Sequence, residues 1–295
     1  MRLYSGRADR FTHARRRLRL PPVPQDWFEC RRLPNGATYL RWEKLFEFLI
    51  SANGRAIVYR ALAEATEESL TTYLLGQVLS FSLLSFGSEP LHCTAVVIDG
   101  EAVGFLGDCG YGKSTIGAAF VSRGFPLLTD DVLALDARGR TWLAHAGPPR
   151  LKLFPSVAHK MLARTSEARL NPGTSKLVVT LSRAEACNRP VRLRTLYVLA
   201  DPRRNTEKGS ARITITPLRG EDAFLEVLRA AFNLIRVDRA RLANHFAIAS
   251  KLAGDIPIRR LAFPRGIRRL GGVCDAVIAD ATALRRTQSR TGTAD

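Results

Sequence analysis

Short runs in which apolar and polar residues alternate dominate residues 27–59. The runs Ala37–Leu40 and Ala56–Tyr59 follow the turn sequences Pro34-Asn35-Gly36 and Ala52-Asn53-Gly54. A period of two between turns of this type is typical of β-hairpins. The pattern therefore predicts strands over Trp27–Tyr59.

The period becomes helical after residue 65. Thr66 is a suitable N-cap, Glu67 and Glu68 follow where the helix dipole favours acids, and apolar residues recur at helical spacing as far as Ser85. The run Leu74–Phe86 is the most apolar in the chain, but glutamine and serine interrupt it. It is shorter than the roughly 20 residues needed to cross a bilayer. We expect a buried helix here.

Residues 95–128 have the order strand, strand, loop, helix, strand. Val96–Ile98 and Ala102–Leu106 flank the turn Asp99-Gly100, and a glycine-rich loop leads into a helix predicted over Ser114–Arg123 and a strand over Phe125–Leu128. A strand, loop, helix and strand in this order form the unit of α/β folds.

The rest of the chain contains weaker patterns of the same kinds. They predict strands over Lys176–Leu181, Leu193–Leu199 and Arg212–Thr216, and helices over Gly220–Arg236 and Asp238–Gly254. We expect an α/β fold in four parts: a basic flexible arm (1–18), an α+β N-terminal segment (19–89), a core with a central β-sheet (90–268), and a C-terminal helix or disordered tail (269–295), with the tail beginning after Ala283.

Composition excludes a disordered chain and leaves the partner open. Hydrophobic residues make up 46% and charged residues 24% of the 295 positions, which suffices for a sizeable core. The 45 Lys and Arg outnumber the 27 Asp and Glu, and the net charge of +18 attracts nucleic acid, phosphate, acidic peptide or anionic lipid alike.

Five cysteines without a CxxC pair indicate reduced thiols. No apolar segment follows the Arg-rich N-terminus as in a signal peptide, so we expect a cytoplasmic protein without a membrane span.

The strongest motif lies between the predicted hairpin and helix. The pattern G-x-x-x-x-G-K-[ST] is matched by Gly107, Asp108, Cys109, Gly110, Tyr111, Gly112, Lys113 and Ser114, with Thr115 next in the chain. Loops of this type point backbone N–H groups at phosphate oxygens, and the following helix adds the positive end of its dipole. Lys113 would reach the β- and γ-phosphates, and Ser114 would ligate Mg²⁺. The motif therefore predicts a site for a nucleoside triphosphate or a similar polyphosphate, with ATP and Mg²⁺ as the expected ligands.

Two adjacent carboxylates, Asp130 and Asp131, follow the predicted strand Phe125–Leu128. Strands that flank a phosphate loop end at the same edge of the sheet, so both side chains are expected to face the phosphates. One carboxylate would lie near the metal, and the other could accept a proton from an attacking hydroxyl group or water.

Together with His92, these residues resemble the catalytic domain of the HPr kinase/phosphorylase family, bacterial protein-serine kinases built on a phosphate loop (P-loop). His92 lies 21 residues before Lys113, and Asp131 lies 18 residues after it. The resemblance is specific over His92–Leu135, which includes the helix stop Arg123-Gly124. It implies a P-loop core with the central β-sheet of the family.

The resemblance also implies roles for individual residues. Lys113 would hold the triphosphate, Ser114 and Asp130 would hold the metal, and Asp131 would take the proton of a substrate serine. Asp130 and His92 would orient the acceptor or the phosphate.

Departures from the family pattern narrow the expected substrate. Longer family members carry an acidic metal ligand where Ala146–Phe154 has no carboxylate, which argues against the reverse phosphorylase reaction. Lys152 and Lys176 make the chain more similar to short HPr-kinase-like proteins. These include kinases of lasso-peptide and other peptide-modification clusters. This similarity implies a serine of a peptide or small protein as the acceptor, and the basic charge surplus suits an acidic one. Both lysines could neutralise developing phosphate charge or bind an anionic acceptor. Longer relatives form oligomers, so a homo-oligomer is compatible with the resemblance.

Three functions remain open from the sequence. The first is an ATP-dependent serine kinase. The second is a non-catalytic, ATP-sensing regulatory module that binds a partner through its basic surface. The third, a nucleic-acid-stimulated ATPase, draws only on charge and has no helicase-like motif or basic patch with interleaved aromatic residues, so nucleic acid is not an expected partner.

Overall fold

The computed structural model describes residues 1–18, 27–163, 169–170, 174–201, 212–232 and 239–291. The fold is mixed α/β and divides into two units. The N-terminal unit consists mainly of Met1–Pro90, and the C-terminal unit consists mainly of residues from Leu91 onwards.

The N-terminal unit contains one five-stranded sheet with the order β1-β5-β4-β3-β2. Its strands are β1 (Arg2–Ser5), β2 (Phe28–Arg32), β3 (Thr38–Trp42), β4 (Phe46–Ile50) and β5 (Ala56–Ala61). The predicted hairpins are confirmed, because β2, β3, β4 and β5 pair antiparallel in succession. Gly36 and Gly54 occupy the left-handed region that their turns require.

The helical prediction for residues 66–85 is also confirmed. Helix α2 (Glu67–Tyr73) continues through a π-helical turn (Leu74–Val78) into α3 (Leu79–Ser85). The Thr66 hydroxyl accepts a hydrogen bond from the Ser69 N–H at 3.1 Å, which is the N-cap contact that the sequence predicts.

The prediction of a flexible arm over residues 1–18 is wrong. Strand β1 pairs in parallel with β5, and helix α1 (Ala8–Arg17) buries Phe11 and Ala14. Phe11 packs with Tyr39 and Val58, so one apolar stripe outweighs the many exposed arginines of this helix. The predicted boundary at residue 19 lies outside the described residues.

The C-terminal unit contains the remaining elements. Its strands are β6 (Leu91–His92), β7 (Thr94–Ile98), β8 (Glu101–Leu106), β9 (Leu127–Thr129), β10 (Val132–Leu133), β11 (Leu135–Arg138), β12 (Thr141–Ala144), β13 (Arg150–Leu153), β14 (Arg169–Leu170), β15 (Leu177–Thr180), β16 (Val191–Leu199), β17 (Thr214–Leu218) and β18 (Ile258–Ala262). Its helices are α4 (Lys113–Val121), α5 (Pro155–Leu162), α6 (Gly220–Arg229), α7 (Arg239–Asp255) and α8 (Leu270–Thr291), with a 3₁₀ turn at Ile267–Arg269.

The main sheet of this unit has eight strands. Its order is β11-β12-β16-β8-β7-β9, with β18 pairing with β16 and β17 pairing with β18. Strand β7 runs antiparallel to both β8 and β9, so β8 and β9 point in the same direction. The ends of β8 and β9 and the start of β7 therefore meet at one edge of the sheet.

Helices cover both faces of this sheet. Val96 and Ile98 of β7 belong to a core cluster that includes residues of α4 and α8, whereas Ala95 and Val97 belong to a cluster with residues of α6 and α7. This division follows the period-two alternation of side chains along a strand. It explains why the β7–β8 hairpin is apolar on both faces.

The other predicted elements of this unit are found close to their expected positions, with two differences. Helix α6 ends at Arg229, and positions 233–236 of the first predicted helix and position 238 of the second lie outside the described residues. The predicted disorder after Ala283 is wrong as far as Thr291, because α8 continues to that residue. The helix is anchored by Val273, Val277 and Ala281, which are fully buried.

Two further expectations concern the cysteines and membrane-spanning helices. All five cysteines are free thiols. None of the helices in the described ranges combines the length and the apolar character needed to cross a membrane.

Candidate functional site

A glycine loop, residues Gly107–Gly112, connects β8 to α4. Gly107, Gly110 and Gly112 have φ values of 140°, 84° and 99°, a region that glycine adopts without strain. Gly112 is the N-cap of α4, so the free N–H groups of the first helical turn adjoin the loop. The loop and the helix start together form the kind of backbone concavity that binds anions.

The Lys113 side chain turns back across this loop. Its Nζ donates hydrogen bonds to the carbonyl oxygens of Gly107 at 2.6 Å and Asp108 at 3.1 Å. Lys113 is buried, and this burial lowers its pKa. The ammonium group is thus held at the loop by two weak neutral partners, which a phosphate oxygen can replace.

Asp130 accepts hydrogen bonds from three elements next to the loop. Its Oδ1 accepts hydrogen bonds from the hydroxyl groups of Thr94 at 2.6 Å and Ser114 at 2.9 Å, and its Oδ2 accepts one from the Lys152 N–H at 3.1 Å. Burial raises the pKa of Asp130, and the neighbouring charge of Asp131 raises it further. The start of β7, the start of α4 and β13 therefore meet at one carboxylate.

Asp131 lies between a lysine and a histidine. Its Oδ2 is 2.5 Å from Lys152 Nζ, and its Oδ1 is 4.0 Å from His92 Nε2. Burial raises the pKa of Asp131, but the Lys152 ammonium, with smaller contributions from His92 and Lys176, outweighs burial and lowers it overall. The carboxylate is therefore ionised at neutral pH.

The backbone holds Asp131 against His92. Asp131 has φ 76°, which is uncommon for a residue with a side chain, and its carbonyl accepts a hydrogen bond from the Cys93 N–H at 3.1 Å. The next residue, Val132, pairs with His92 across strands β10 and β6. Two short strands that the sequence did not predict thus place the two side chains side by side.

His92 is neutral at physiological pH. Burial, followed by the charge of Lys113, lowers its pKa to about 4, against the opposing effect of Asp131. Its backbone N–H donates to the Ala230 carbonyl at 2.6 Å, and its ring meets Phe232 edge-on. A neutral imidazole in a fixed position can orient a hydroxyl group through a hydrogen bond.

Most of the residues that the sequence singles out line one cavity, here called the phosphate cavity. Its lining includes His92, Cys109, Gly110, Gly112, Lys113, Ser114, Thr115, Asp131, Lys152 and Lys176. Asp130 lies buried behind this wall, and Gly107, Asp108 and Tyr111 line a neighbouring cavity. Lys176 Nζ lies 5.4 Å above the ring of Phe154, and both residues line the phosphate cavity.

Sequence reasoning missed Arg150, which is half-buried on β13. Burial lowers the pKa of its guanidinium group, and the charges of Asp131 and Asp130 oppose this effect, so it lies within electrostatic range of both carboxylates. Arg150 precedes Lys152 by two positions on one strand, and such residues share a face. That spacing is the signal that could have identified it.

The charge balance of the site favours a polyanion. Lys113, Lys152 and Lys176 line the phosphate cavity together with one carboxylate, that of Asp131. The excess of two cations suits an anion that carries several charges, such as a triphosphate.

The donor set fits Mg²⁺. Ser114 Oγ and Asp130 Oδ1 are 2.9 Å apart, and both are the hard oxygen donors that this ion combines with phosphate oxygens and water. The described part of the chain holds no group of three or more His, Cys, Asp or Glu side chains placed to bind a metal.

Comparison with known proteins identifies no close relative. No protein-family model and no curated protein match the chain. Among solved structures, the chain is similar to the Hpr(Ser) kinase/phosphatase from Coxiella burnetii, with 12% sequence identity, a TM-score of 0.38, and coverage of 70% of this chain and 96% of that chain. A TM-score of 0.38 does not establish a common fold, so function has to be inferred from the residues of the site.

Proposed function

We propose that the protein is a kinase that transfers the γ-phosphoryl group of ATP to a serine hydroxyl group of a peptide or small protein. The observation that carries the proposal is the convergence of Lys113, Lys152 and Asp131 on one cavity at the glycine loop. Phosphoryl transfer requires positioning and charge neutralisation more than covalent chemistry. A phosphate cradle, cations and one base are therefore a sufficient set.

The triphosphate would bind along the glycine loop. Backbone N–H groups of the loop and of the first turn of α4 would donate to its oxygens, and Lys113 Nζ would exchange its two carbonyl partners for the β- and γ-phosphates. Ser114 Oγ and Asp130 would hold Mg²⁺, which supplies charge neutralisation at those phosphates.

Asp131 would act as the base, and Lys152 would control its availability. In the free protein the Lys152 ammonium neutralises this carboxylate at 2.5 Å. A γ-phosphate in the cavity competes for the same ammonium, which raises the proton affinity of Asp131. The serine oxygen then bonds to the γ-phosphorus, the bond from phosphorus to the β-bridging oxygen breaks, and the serine proton passes to Asp131. Neutral His92 would orient the hydroxyl group.

A second cavity of about 420 Å³, here called the acceptor cavity, would admit the peptide. It shares His92 and Cys109 with the phosphate cavity, and its lining also contains Glu226, Arg229 and Arg260, where both arginines pair with the glutamate. The net charge of +18 of the whole chain favours an acidic peptide, whose encounter with the protein would weaken as salt increases.

A non-catalytic ATP sensor is the alternative, and the Lys152–Asp131 ion pair is the observation that favours it. If that pair persists when ATP binds, Asp131 is a poor base, and the protein would bind ATP without turnover. The two functions differ in one measurable respect, the transfer of phosphate.

Label transfer from γ-labelled ATP with Mg²⁺ tests the proposal. The acceptors are serine peptides with acidic flanks, matched peptides with alanine in place of serine, free serine, and the protein itself. We expect label on the serine peptides alone, and its loss in Asp131→Asn with ATP binding retained, because asparagine tolerates the left-handed backbone but is no base. ATP binding without transfer to any acceptor would select the sensor.

A further inference from the structure

A third cavity, of about 190 Å³, lies on the other side of the glycine loop. Its apolar walls are Tyr111, Ile116, Phe263, Ile267 and Leu270, and it is here called the apolar cavity. It is formed by the glycine loop, the first turn of α4 and the segment that leads from β18 into α8.

The apolar cavity adjoins the phosphate cavity at the end remote from the proposed chemistry. The two cavities share Gly110, Gly112 and Thr115, but His92 and Asp131 line only the phosphate cavity. A triphosphate bound with its γ-phosphorus towards Asp131 leads, through its α-phosphate, away from that residue. The part of the nucleotide beyond the α-phosphate is then directed to the apolar cavity.

The walls suit a flat, apolar ring system. Ile116 and Leu270 are buried, and Tyr111, Phe263 and Ile267 pack against the same core cluster, so the cavity is held by the core. Its volume lies below the roughly 300–1,000 Å³ of sites for drug-sized ligands, which corresponds to one ring system rather than a whole nucleotide. Arg265, an exposed cation in the lining, stands where the anionic end of the nucleotide would approach.

The acceptor cavity is the competing place for such a ring, and its position argues against it. It shares His92 with the phosphate cavity, and His92 lies beside Asp131, where the γ-phosphorus would be. A base in this cavity would lie at the γ-phosphate end of the nucleotide, which is the end that a peptide serine has to reach.

We propose that the apolar cavity binds the nucleobase of the triphosphate, an inference that rests on the proposed function and locates the base of its nucleotide. The base would stack among Tyr111, Phe263 and Ile267 while the phosphates lie on the glycine loop. The protein should therefore distinguish a nucleoside triphosphate from a bare triphosphate chain.

Calorimetric titration with two probes, ATP and inorganic tripolyphosphate, each with Mg²⁺, tests this proposal. We expect the native protein to bind ATP at least about tenfold more tightly than tripolyphosphate, because only ATP buries an apolar ring. Ile267→Gln should weaken ATP binding by about fivefold or more and leave tripolyphosphate binding within about twofold. Ile267→Leu, the matched control, should bind both probes as the native protein does.

The outcomes separate this inference from the proposed function. Equal affinity of the native protein for both probes, or an equal loss of both in Ile267→Gln, would overturn the nucleobase assignment and leave the triphosphate site intact. Failure of both probes to bind the native protein would overturn the proposed function as well. Unchanged ATP binding in Ile267→Gln would overturn the assignment too, and if this variant does not fold, equal affinity of the native protein for both probes still overturns it.

Discussion

Lys152 Nζ lies 2.5 Å from Asp131 Oδ2, so the proposed base is also one half of a largely buried ion pair. The same lysine donates its backbone N–H to Asp130. Lys152 of β13 thus contacts both carboxylates. An anion that enters the phosphate cavity and attracts the Lys152 ammonium would therefore change the charge environment of both.

The first prediction concerns the charge on Lys152. Its ammonium lowers the pKa of Asp131, so Lys152→Gln should raise that pKa. Acidification then protonates Asp131, and so inactivates it as a base, at a higher pH than in the native protein. We expect the acid limb of kcat/KM for peptide phosphorylation to move about one pH unit or more towards neutrality.

Lys176→Gln is the matched control, because Lys176 lines the same cavity but has a smaller effect on the pKa of Asp131. Its acid limb should move less than half as far. Equal movement in both variants would mean that the cavity responds to total charge, and that the 2.5 Å contact has no special role.

The second prediction concerns Ser114, whose hydroxyl group hydrogen-bonds to Asp130 at 2.9 Å. Ser114→Ala removes one of the two proposed oxygen donors to Mg²⁺. The Mg²⁺ concentration that gives half-maximal transfer should rise about 10–100-fold, while transfer at saturating Mg²⁺ recovers in part. An unchanged Mg²⁺ requirement would exclude Ser114 as a ligand.

The third prediction concerns Arg150, whose pKa responds to the charges of both carboxylates. If its guanidinium group stabilises charge that develops during transfer, Arg150→Gln should lower kcat by about 100-fold or more. Arg150→Lys should recover only part of the activity, because lysine lacks the planar fork of donors. A rise in KM for ATP with kcat unchanged would instead assign Arg150 to nucleotide binding.

The fourth prediction concerns stability and pH. The pKa of His92 falls from 6.5 to about 4 on folding, so between these values the unfolded chain binds a proton that the folded protein does not. The free energy of unfolding therefore decreases as pH falls from 6.5 towards 4. The ring is about one-third exposed, so we expect a loss of about 1 kcal/mol between pH 7 and pH 5.

The comparison is with His92→Gln, which keeps a polar side chain that does not titrate. Urea midpoints measured at pH 7 and pH 5 should fall less in this variant than in the native protein. Parallel falls would show that His92 does not carry the pH dependence.

The sequence predicts the glycine loop well because local rules determine it. Three glycines reach the left-handed region that other residues avoid, and Gly112 places the start of α4 next to Lys113. The position of Asp130 at the end of β9 follows in the same way from the order of elements.

The contacts across the site could not be predicted from the sequence. Arg150 and Lys152 approach the carboxylates because β13 lies against α4 and the Lys152 N–H donates to Asp130, contacts between distant segments that no local pattern specifies. The apolar cavity brings Tyr111 together with Ile267, more than 150 positions later. Helix α1 could not be predicted for a different reason. Only Phe11 and Ala14 are buried, and they stabilise a helix whose other positions include many arginines.

The central claim is that the glycine loop holds a triphosphate whose γ-phosphorus faces Asp131. A crystal structure with a non-hydrolysable ATP analogue and Mg²⁺ tests it directly. We predict that Lys113 Nζ leaves the carbonyl oxygens of Gly107 and Asp108 for the β- and γ-phosphates, with the Asp131 carboxylate facing the γ-phosphorus. An analogue bound elsewhere, with Lys113 still on its two carbonyls, would contradict the claim.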